Sequence, residues 1–240
     1  IIIPVYNYVK TLDMALASVF EQTYSNIEIV VIDDGSTDKF TQLKLDKLSI
    51  PNTKVIRQDN GGPSNARNNG IKSSTGKYIL PLDSDDFMLP SYVDECVKLI
   101  SRDDNLSPIY CDTIHEGQMK GMEERPEWSK DRLIQGPFIV NCSMFSREAF
   151  DSVGGFDESL KGWEDYDFWL RMALKGYIGK RIPKPLFVYI HHESEGTVST
   201  LANKNIPELH KKILTKNGLL KEPKIYDPLN TSNNNFNMFD

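Results

Sequence analysis

The chain has 240 residues, 39% hydrophobic and 26% charged, with a formal net charge of −6. That size and mixture suit one large globular domain with an appendage, and the acidic balance excludes a protein whose main task is coating nucleic acid. No run approaches the roughly 20 apolar residues of a membrane span, no stretch reads as a signal peptide, and Cys96, Cys111 and Cys142 fit neither a disulfide framework nor zinc-ligand spacing.

In chain order, Ile1-Ile2-Ile3-Pro4-Val5 is a β-branched run that predicts a first strand, followed by a loop at Tyr6-Asn7-Tyr8. Thr11 can cap a helix carrying Leu12, Ala15, Leu16, Val19 and Phe20 at helical spacing. Residues 27–32 are mostly apolar, as parallel strands covered on both faces are, and end in Asp33-Asp34-Gly35-Ser36-Thr37-Asp38. A polar helix or loop runs to about Ser49, then a short strand over residues 53–57. Asn60-Gly61-Gly62-Pro63 signals a turn, residues 64–71 a short helix closed near Gly70, residues 77–82 a buried strand, and residues 90–102 a helix.

The buried strand runs into Asp83-Ser84-Asp85-Asp86. On an extended chain Asp83 and Asp85 share a face and Ser84 points away. Two carboxylates that close repel unless a cation sits between them. A hard divalent ion with oxygen ligands, Mg²⁺ or Mn²⁺, fits that need. Alternating strands and helices predict an open α/β sheet with right-handed crossovers, whose ligands bind beyond the carboxyl ends of the strands. Three such ends carry Tyr6-Asn7, Asp33-Asp34 and Asp83 with Asp85.

The second half is less regular. Strands are expected over residues 109–114, 137–145 and 186–191, helices over 146–153, 164–175 and 206–217, a turn at Gly154-Gly155-Phe156-Asp157 and a mobile polar loop over 116–130. Residues 230–237 are Asn-rich and expected to be disordered. The buried, reduced thiols favour a cytoplasmic setting, and the opening without Met fits a domain of a larger or membrane-associated protein.

Pro4-Val5-Tyr6-Asn7, Ile32-Asp33-Asp34-Gly35-Ser36-Thr37-Asp38, Asn60-Gly61-Gly62-Pro63-Ser64-Asn65-Ala66-Arg67-Asn68, Leu82-Asp83-Ser84-Asp85-Asp86, Gly154-Gly155-Phe156-Asp157 and Trp163-Glu164-Asp165 occur in that order. This ordered set, over roughly residues 1–199, resembles the inverting family 2 glycosyltransferases of the GT-A fold. The resemblance implies an α/β fold with a mainly parallel central sheet and helices on both faces. Residues 1–105 would bind a nucleotide-sugar, residues 106–200 of the same domain would hold the acceptor and catalytic groups, and residues 201–240 would form a terminal helix and tail. It implies a hexosyl- or N-acetylhexosaminyl-transferase that uses a nucleoside-diphosphate sugar, most commonly a UDP-sugar, and Mn²⁺ or Mg²⁺. The acceptor would be a glycan, a lipid-linked group or a protein.

Residue by residue, the resemblance implies that Pro4 and Tyr6 pack on the base, that one of Asp33 and Asp34 reads it, and that Arg67, Asp83 and Ser84 hold the rest of the donor. Asp85, with Asp83 and His192, would bind the metal, and Asp165 would take the acceptor proton. At the start of a helix, Asp165 is expected to stay ionised and to be a weak base. The family's Arg shortly before the C-terminal His is absent: Tyr189 and Ile190 stand there. Thr197-Val198-Ser199 is expected to order over bound donor. Two other classes remain: a non-catalytic nucleotide- or glycan-binding module, and a sugar-nucleotide pyrophosphorylase, whose basic glycine-rich opening Tyr6-Asn7-Tyr8 does not supply.

Overall fold

The computed structural model describes residues 1–192 and 206–220. The expectations for Thr197-Val198-Ser199 and for the Asn-rich stretch 230–237 lie outside them.

Strands β1 (Ile2–Val5), β2 (Ile29–Asp34) and β3 (Thr53–Gln58) form a parallel sheet in that order. Every residue of β2 is buried, as its unbroken apolar run requires. On the free side of β1, the Ile2 amide donates to the Leu80 carbonyl at 3.0 Å and the Leu82 amide to the Ile2 carbonyl at 2.9 Å. The strand expected over residues 77–82 is therefore present as β4 (Tyr78–Ile79) and a bridged extension, which carries the carboxylates to the same edge as the ends of β1 and β2.

Helix α1 (Leu12–Phe20) packs on one face of this sheet and α3 (Gly62–Lys72) on the other, with α2 (Lys39–Asp46) started by Asp38, whose carboxylate accepts from the Thr41 amide. Gly70 does not end α3 but lies within it. A Cβ there would fall 2.7 Å from Ile2 Cγ2, so the missing side chain is what lets α3 lie close on the sheet. Thr11 stands at the start of α1, but its hydroxyl does not cap. It donates instead to the Ser84 carbonyl at 2.7 Å, tying α1 to the carboxylate turn.

The second half departs more from expectation. Its core is a long parallel pair, β6 (Leu106–Gly117) and β9 (Ile178–His191), flanked by β5 (Phe87–Met88) and β7 (Gly121–Glu123). The segment expected as a loop over 116–130 thus contains a hairpin strand. The strand expected over 137–145 shrinks to β8 (Phe145–Ser146), paired with β4. Residues 130–135 form a short helix, α5 (Lys130–Gln135), begun by the Ser129 side chain. Helices α4 (Tyr92–Ile100), α6 (Arg147–Val153), α7 (Glu164–Lys175) and α8 (Ile206–Lys216) complete the described residues.

Phe145, Phe168 and Trp169 are fully buried, with ring centroids of Phe145 and Phe168 5.0 Å apart. Each such side chain contributes about 1.5–3 kcal/mol by burial, and the cluster fixes α6 and α7 against the sheet. Asp167, also fully buried, bonds Arg171, Lys216 and Asn217, which anchors α8 to α7. The three cysteines are free and buried. No helix of the described residues is long and apolar enough to cross a membrane.

Candidate active site

A cavity of about 800 Å³ opens at the carboxyl ends of β1 and β2 and is closed on the far side by α7 and the β6–β9 layer. Pro4, Tyr6, Asp34, Arg67, Asp83, Ser84, Asp85 and Asp165 all line it. Asp33 does not. Its Oδ1 accepts from the Ser36 amide at 2.9 Å and its Oδ2 from Arg57 at 3.2 Å, so it shapes the loop after β2.

Asp34 accepts from the Gly61 and Gly62 amides, both at 2.9 Å, and from Gln58 at 2.7 Å. The carboxylate thereby sits on the positive start of α3, where its charge is favoured. Asn7 adopts φ 50°, and its Oδ1 accepts from the Thr37 and Asp38 amides at 2.7 and 3.0 Å. It clamps the two loops that carry Tyr6 and Asp34.

Residues 83–86 form a turn, closed by the Asp86 amide on the Asp83 carbonyl at 3.1 Å, instead of continuing the strand. Side-chain alternation therefore does not place Asp83 and Asp85; the turn does. Asp83 Oδ1 accepts from Arg67 Nη2 at 2.8 Å and its Oδ2 from Asn141 at 3.1 Å. Asp86 is buried and accepts from the Ile190 amide at 2.9 Å, joining the turn to β9. Burial first, then Asp83 and Asp85, holds its proton well above the usual carboxylate range. Burial and then Asp83 also raise the Asp85 carboxyl, against the pull of His192.

His192 Nε2 lies 3.1 Å from Asp85 Oδ2. Among the described residues the nitrogen is buried with no hydrogen bond of good alignment, so the contact with Asp85 is close but poorly aligned. Its Nδ1 meets the Tyr8 hydroxyl at 3.3 Å. An imidazole held at Nδ1 with Nε2 unpartnered beside a carboxylate is the donor set a divalent cation takes. Neighbouring ligands at about 2.1 Å from an octahedral ion stand roughly 3.0 Å apart, which the Asp85–His192 spacing matches. Among the described residues no cluster of three acidic, His or Cys groups is preassembled for a metal. Asp85 and His192 fit as a pair, while both Asp83 oxygens already accept from nitrogen donors.

Arg67 is 4% exposed. Its Nη2 donates to Asp83 and its Nη1 to Glu164 Oε1, both at 2.8 Å, leaving only Nε without a partner. The residue expected to grip the donor is thus found bracing the carboxylate turn against the first turn of α7.

Gly162 and Trp163, at φ 111° and 56°, force a left-handed entry into α7. A non-glycine residue there costs of order 1–3 kcal/mol, and such strain concentrates at functional sites. It presents Asp165 to the cavity, with Oδ1 accepting from the Tyr166 amide at 2.8 Å. The Asp165 carboxyl is pushed up to about 7 by burial first and by Glu164 second, with Arg67 opposing. Part of Asp165 remains open to the cavity, but the protein packed round the carboxyl outweighs the start of the helix. The weak, always-ionised carboxylate expected from the helix position is replaced by one raised to about 7.

His115, Arg125, Asn141, Trp163 and Tyr189 also line the cavity. Arg125 Nη2 lies 3.0 Å from Glu123, and its Nε donates to Thr113 Oγ1 at 3.2 Å. His115 and Arg125 sit in and just after the hairpin and Asn141 in an irregular stretch, where no periodic signal marks them, whereas Tyr189 lies in β9 and Trp163 in the motif before α7.

The family model described as Glycosyl transferase family 2 matches residues 1–154, and one described as N-terminal domain of galactosyltransferase matches residues 138–194. An uncharacterized glycosyltransferase of Haemophilus influenzae is 30% identical over 209 residues, which are 83% of this chain and 70% of that protein. An uncharacterized glycosyltransferase of Rickettsia typhi is 34% identical over 71% of this chain and 57% of its own length. Chondroitin synthase of Escherichia coli is 29% identical over 84% of this chain but only 30% of that much longer protein. Among solved structures, S. aureus TarS in complex with UDP-GlcNAc superposes with a TM-score of 0.75 at 22% identity, over 92% of this chain and 67% of that one. A mannosyltransferase of Pyrobaculum calidifontis with GDP-Man and Mn²⁺ superposes with a TM-score of 0.63 at 19% identity, over 89% and 68%.

Proposed function

The chain belongs to glycosyl transferase family 2 and has the GT-A fold, and we propose that it moves a hexosyl or N-acetylhexosaminyl group from a nucleoside diphosphate, UDP in the first place, to an acceptor hydroxyl with inversion. The observation that carries this reading is one cavity lined by Asp85, with His192 3.1 Å behind it, and on another wall by Asp165, whose carboxyl is pushed up to about 7 by burial and by Glu164.

Pro4 and Tyr6 offer flat apolar surface to a base at the end of β1, and Asp34 stands beside them at the start of α3. Asp165, ionised above about pH 7, takes the proton of the acceptor hydroxyl as its oxygen bonds the anomeric carbon. The bond from that carbon to the diphosphate oxygen breaks on the opposite face, which inverts the centre. Asp85 and His192 would hold Mn²⁺ or Mg²⁺, which would supply Lewis-acid neutralisation of the leaving diphosphate. Glu164 and Arg67 keep the α7 turn and the carboxylate turn at fixed separation, so base and leaving group face each other. Residues 1–105 supply the nucleotide wall in this reading and residues 106–192 the acceptor wall.

Structural neighbours solved in complex with UDP-GlcNAc, or with GDP-Man and Mn²⁺, support the donor class and leave the sugar to experiment. A panel of UDP- and GDP-sugars with Mn²⁺ is the test, read by nucleoside diphosphate release. We expect slow release with water alone and faster release with acceptor. Free sugar phosphate as product would move the protein to the pyrophosphorylase class. Tight nucleotide binding with no release from any donor would make it a binding module.

A further inference from the structure

His192 is the first residue past β9. The backbone before it is firmly held: the Asp86 carboxylate accepts from the Ile190 amide, and the Gln118 amide donates to the His191 carbonyl at 3.1 Å. The His192 imidazole is not held by the sheet. Among the described residues its side-chain partners are Asp85 and Tyr8. The Asp85 contact is close but poorly aligned, so it attracts the ring without fixing its orientation. The Tyr8 hydroxyl, 3.3 Å from Nδ1, makes the one hydrogen bond of the ring among those residues. The two rings also meet edge to face, with centroids 5.4 Å apart and planes at 71°.

Tyr8 can act as a fixed point because the loop is anchored on both sides of it. The Asn7 amide donates to Ser36 Oγ at 3.0 Å, and its side chain accepts from the Thr37 and Asp38 amides. On the other side Val9 is buried in the core with Leu12 and Leu16 of α1. Tyr8 itself lines the transfer cavity and is 38% exposed, so its hydroxyl is not needed to complete the core. No local pattern marks the residue, since its partner lies 184 positions along the chain.

A neutral imidazole donates from one nitrogen and accepts at the other. To turn an Nε2 lone pair to a cation, His192 must carry its proton on Nδ1, and an acceptor must meet that proton. Among the described residues the Tyr8 oxygen is the atom placed to do so.

We propose that Tyr8 is a positioning residue of the cation site: its oxygen accepts from His192 Nδ1–H and directs the Nε2 lone pair to a divalent ion beside Asp85. This rests on the reading of Asp85 and His192 as the metal ligands. It puts Tyr6, which meets the base in that reading, and the group that orients a metal ligand on one loop of three residues.

Tyr8→Phe keeps the ring contact and removes only the hydroxyl. Mn²⁺ is titrated into protein saturated with UDP, and the bound ion is read from the loss of the free-ion paramagnetic resonance signal, against UDP and Mn²⁺ without protein. We expect the variant to bind Mn²⁺ about tenfold more weakly, the lower end of the loss seen when a ligating histidine loses its partner. The melting temperature of the metal-free protein should not change. In a His192→Ala background the same substitution should cost nothing further, because the hydroxyl acts only through that ring. Equal Mn²⁺ affinity in wild type and Tyr8→Phe would overturn the proposal. So would a tenfold loss that persists in full in the His192→Ala background, or one matched by a fall in melting temperature, which would make Tyr8 a part of the fold alone. Failure of the wild type itself to take up Mn²⁺ would strike the metal reading and the role of Tyr8 together, an outcome distinct from loss of the Tyr8 role alone.

Discussion

Asp165 couples the chemistry of the site to its stability in opposite senses. The folded carboxyl holds its proton up to about 7, against an ordinary value of 3.8. Between those values the folded state binds more protons than the unfolded chain, so stability falls as pH rises through that window. Asp165 thus contributes fully below about 4 and that contribution is gone above about 7. In the proposed reaction transfer requires the ionised form, so activity should rise with pH through about 7. Asp165→Asn mimics the neutral carboxyl. At pH 8 the variant should melt no lower than wild type and bind UDP normally, while single-turnover transfer drops by about two to four orders of magnitude. A folded variant keeping more than about a third of the wild-type rate would move the base elsewhere, with Glu164 next to be tested. A lower melting temperature with activity falling in proportion would make Asp165 structural.

Arg67 acts between elements: it joins α3, the turn after β4 and the start of α7 through two 2.8 Å ion pairs. Lysine keeps the charge but offers one ammonium where the guanidinium forks, so Arg67→Lys leaves either Asp83 or Glu164 poorly paired. Breaking one limb of a buried pair costs about 3 kcal/mol. We expect the urea midpoint to fall accordingly and kcat to fall with it, since the two turns lose their spacing. An unchanged midpoint with weakened UDP binding would return Arg67 to a direct donor contact. Elements of this kind differ in how legible they were. β2 and α7 were readable because burial on both faces and helical spacing are local patterns, and α7 runs Glu164–Lys175 as its periodicity predicts. Strand β7 and helix α5 were not, since Gly117, Gly121 and Pro126 read as loop signals, whereas β6, expected over residues 109–114, is present and runs on to Gly117 against β9, more than sixty residues away. Thr11 was misread for a similar reason: a hydroxyl before a helix signals a cap, and its partner, the Ser84 carbonyl, is distant in sequence.

Across the whole molecule, motif order indicated which residues converge but not how they divide the work. Asp83 and Asp85 were recognisable as a pair, yet only the turn geometry separates an Asp83 bonded to Arg67 and Asn141 from an Asp85 facing His192 across 3.1 Å. The convergence also sets the charge of the cavity. Asp34, Asp83, Asp85, Asp86, Glu164 and Asp165 line it, against the guanidiniums of Arg67 and Arg125 alone. A diphosphate entering such a space meets like charge, and a carboxylate pair in low dielectric relaxes when it takes up a proton or when a cation joins it. Nucleotide and metal should therefore bind as coupled ligands, each tightening the other by the same factor. We expect Mn²⁺ to improve UDP affinity by at least about tenfold, roughly 1.4 kcal/mol, and the melting shift with both present to exceed the sum of the separate shifts. Asp85→Asn and His192→Ala should each abolish most of that coupling, while Asp33→Asn, outside the cavity, should leave it intact. Calorimetry of UDP in chelated and Mn²⁺-loaded protein decides the matter: equal affinities in the two would remove the Asp85–His192 pair from any metal role and leave the cavity's charge to be balanced by Arg67 and Arg125.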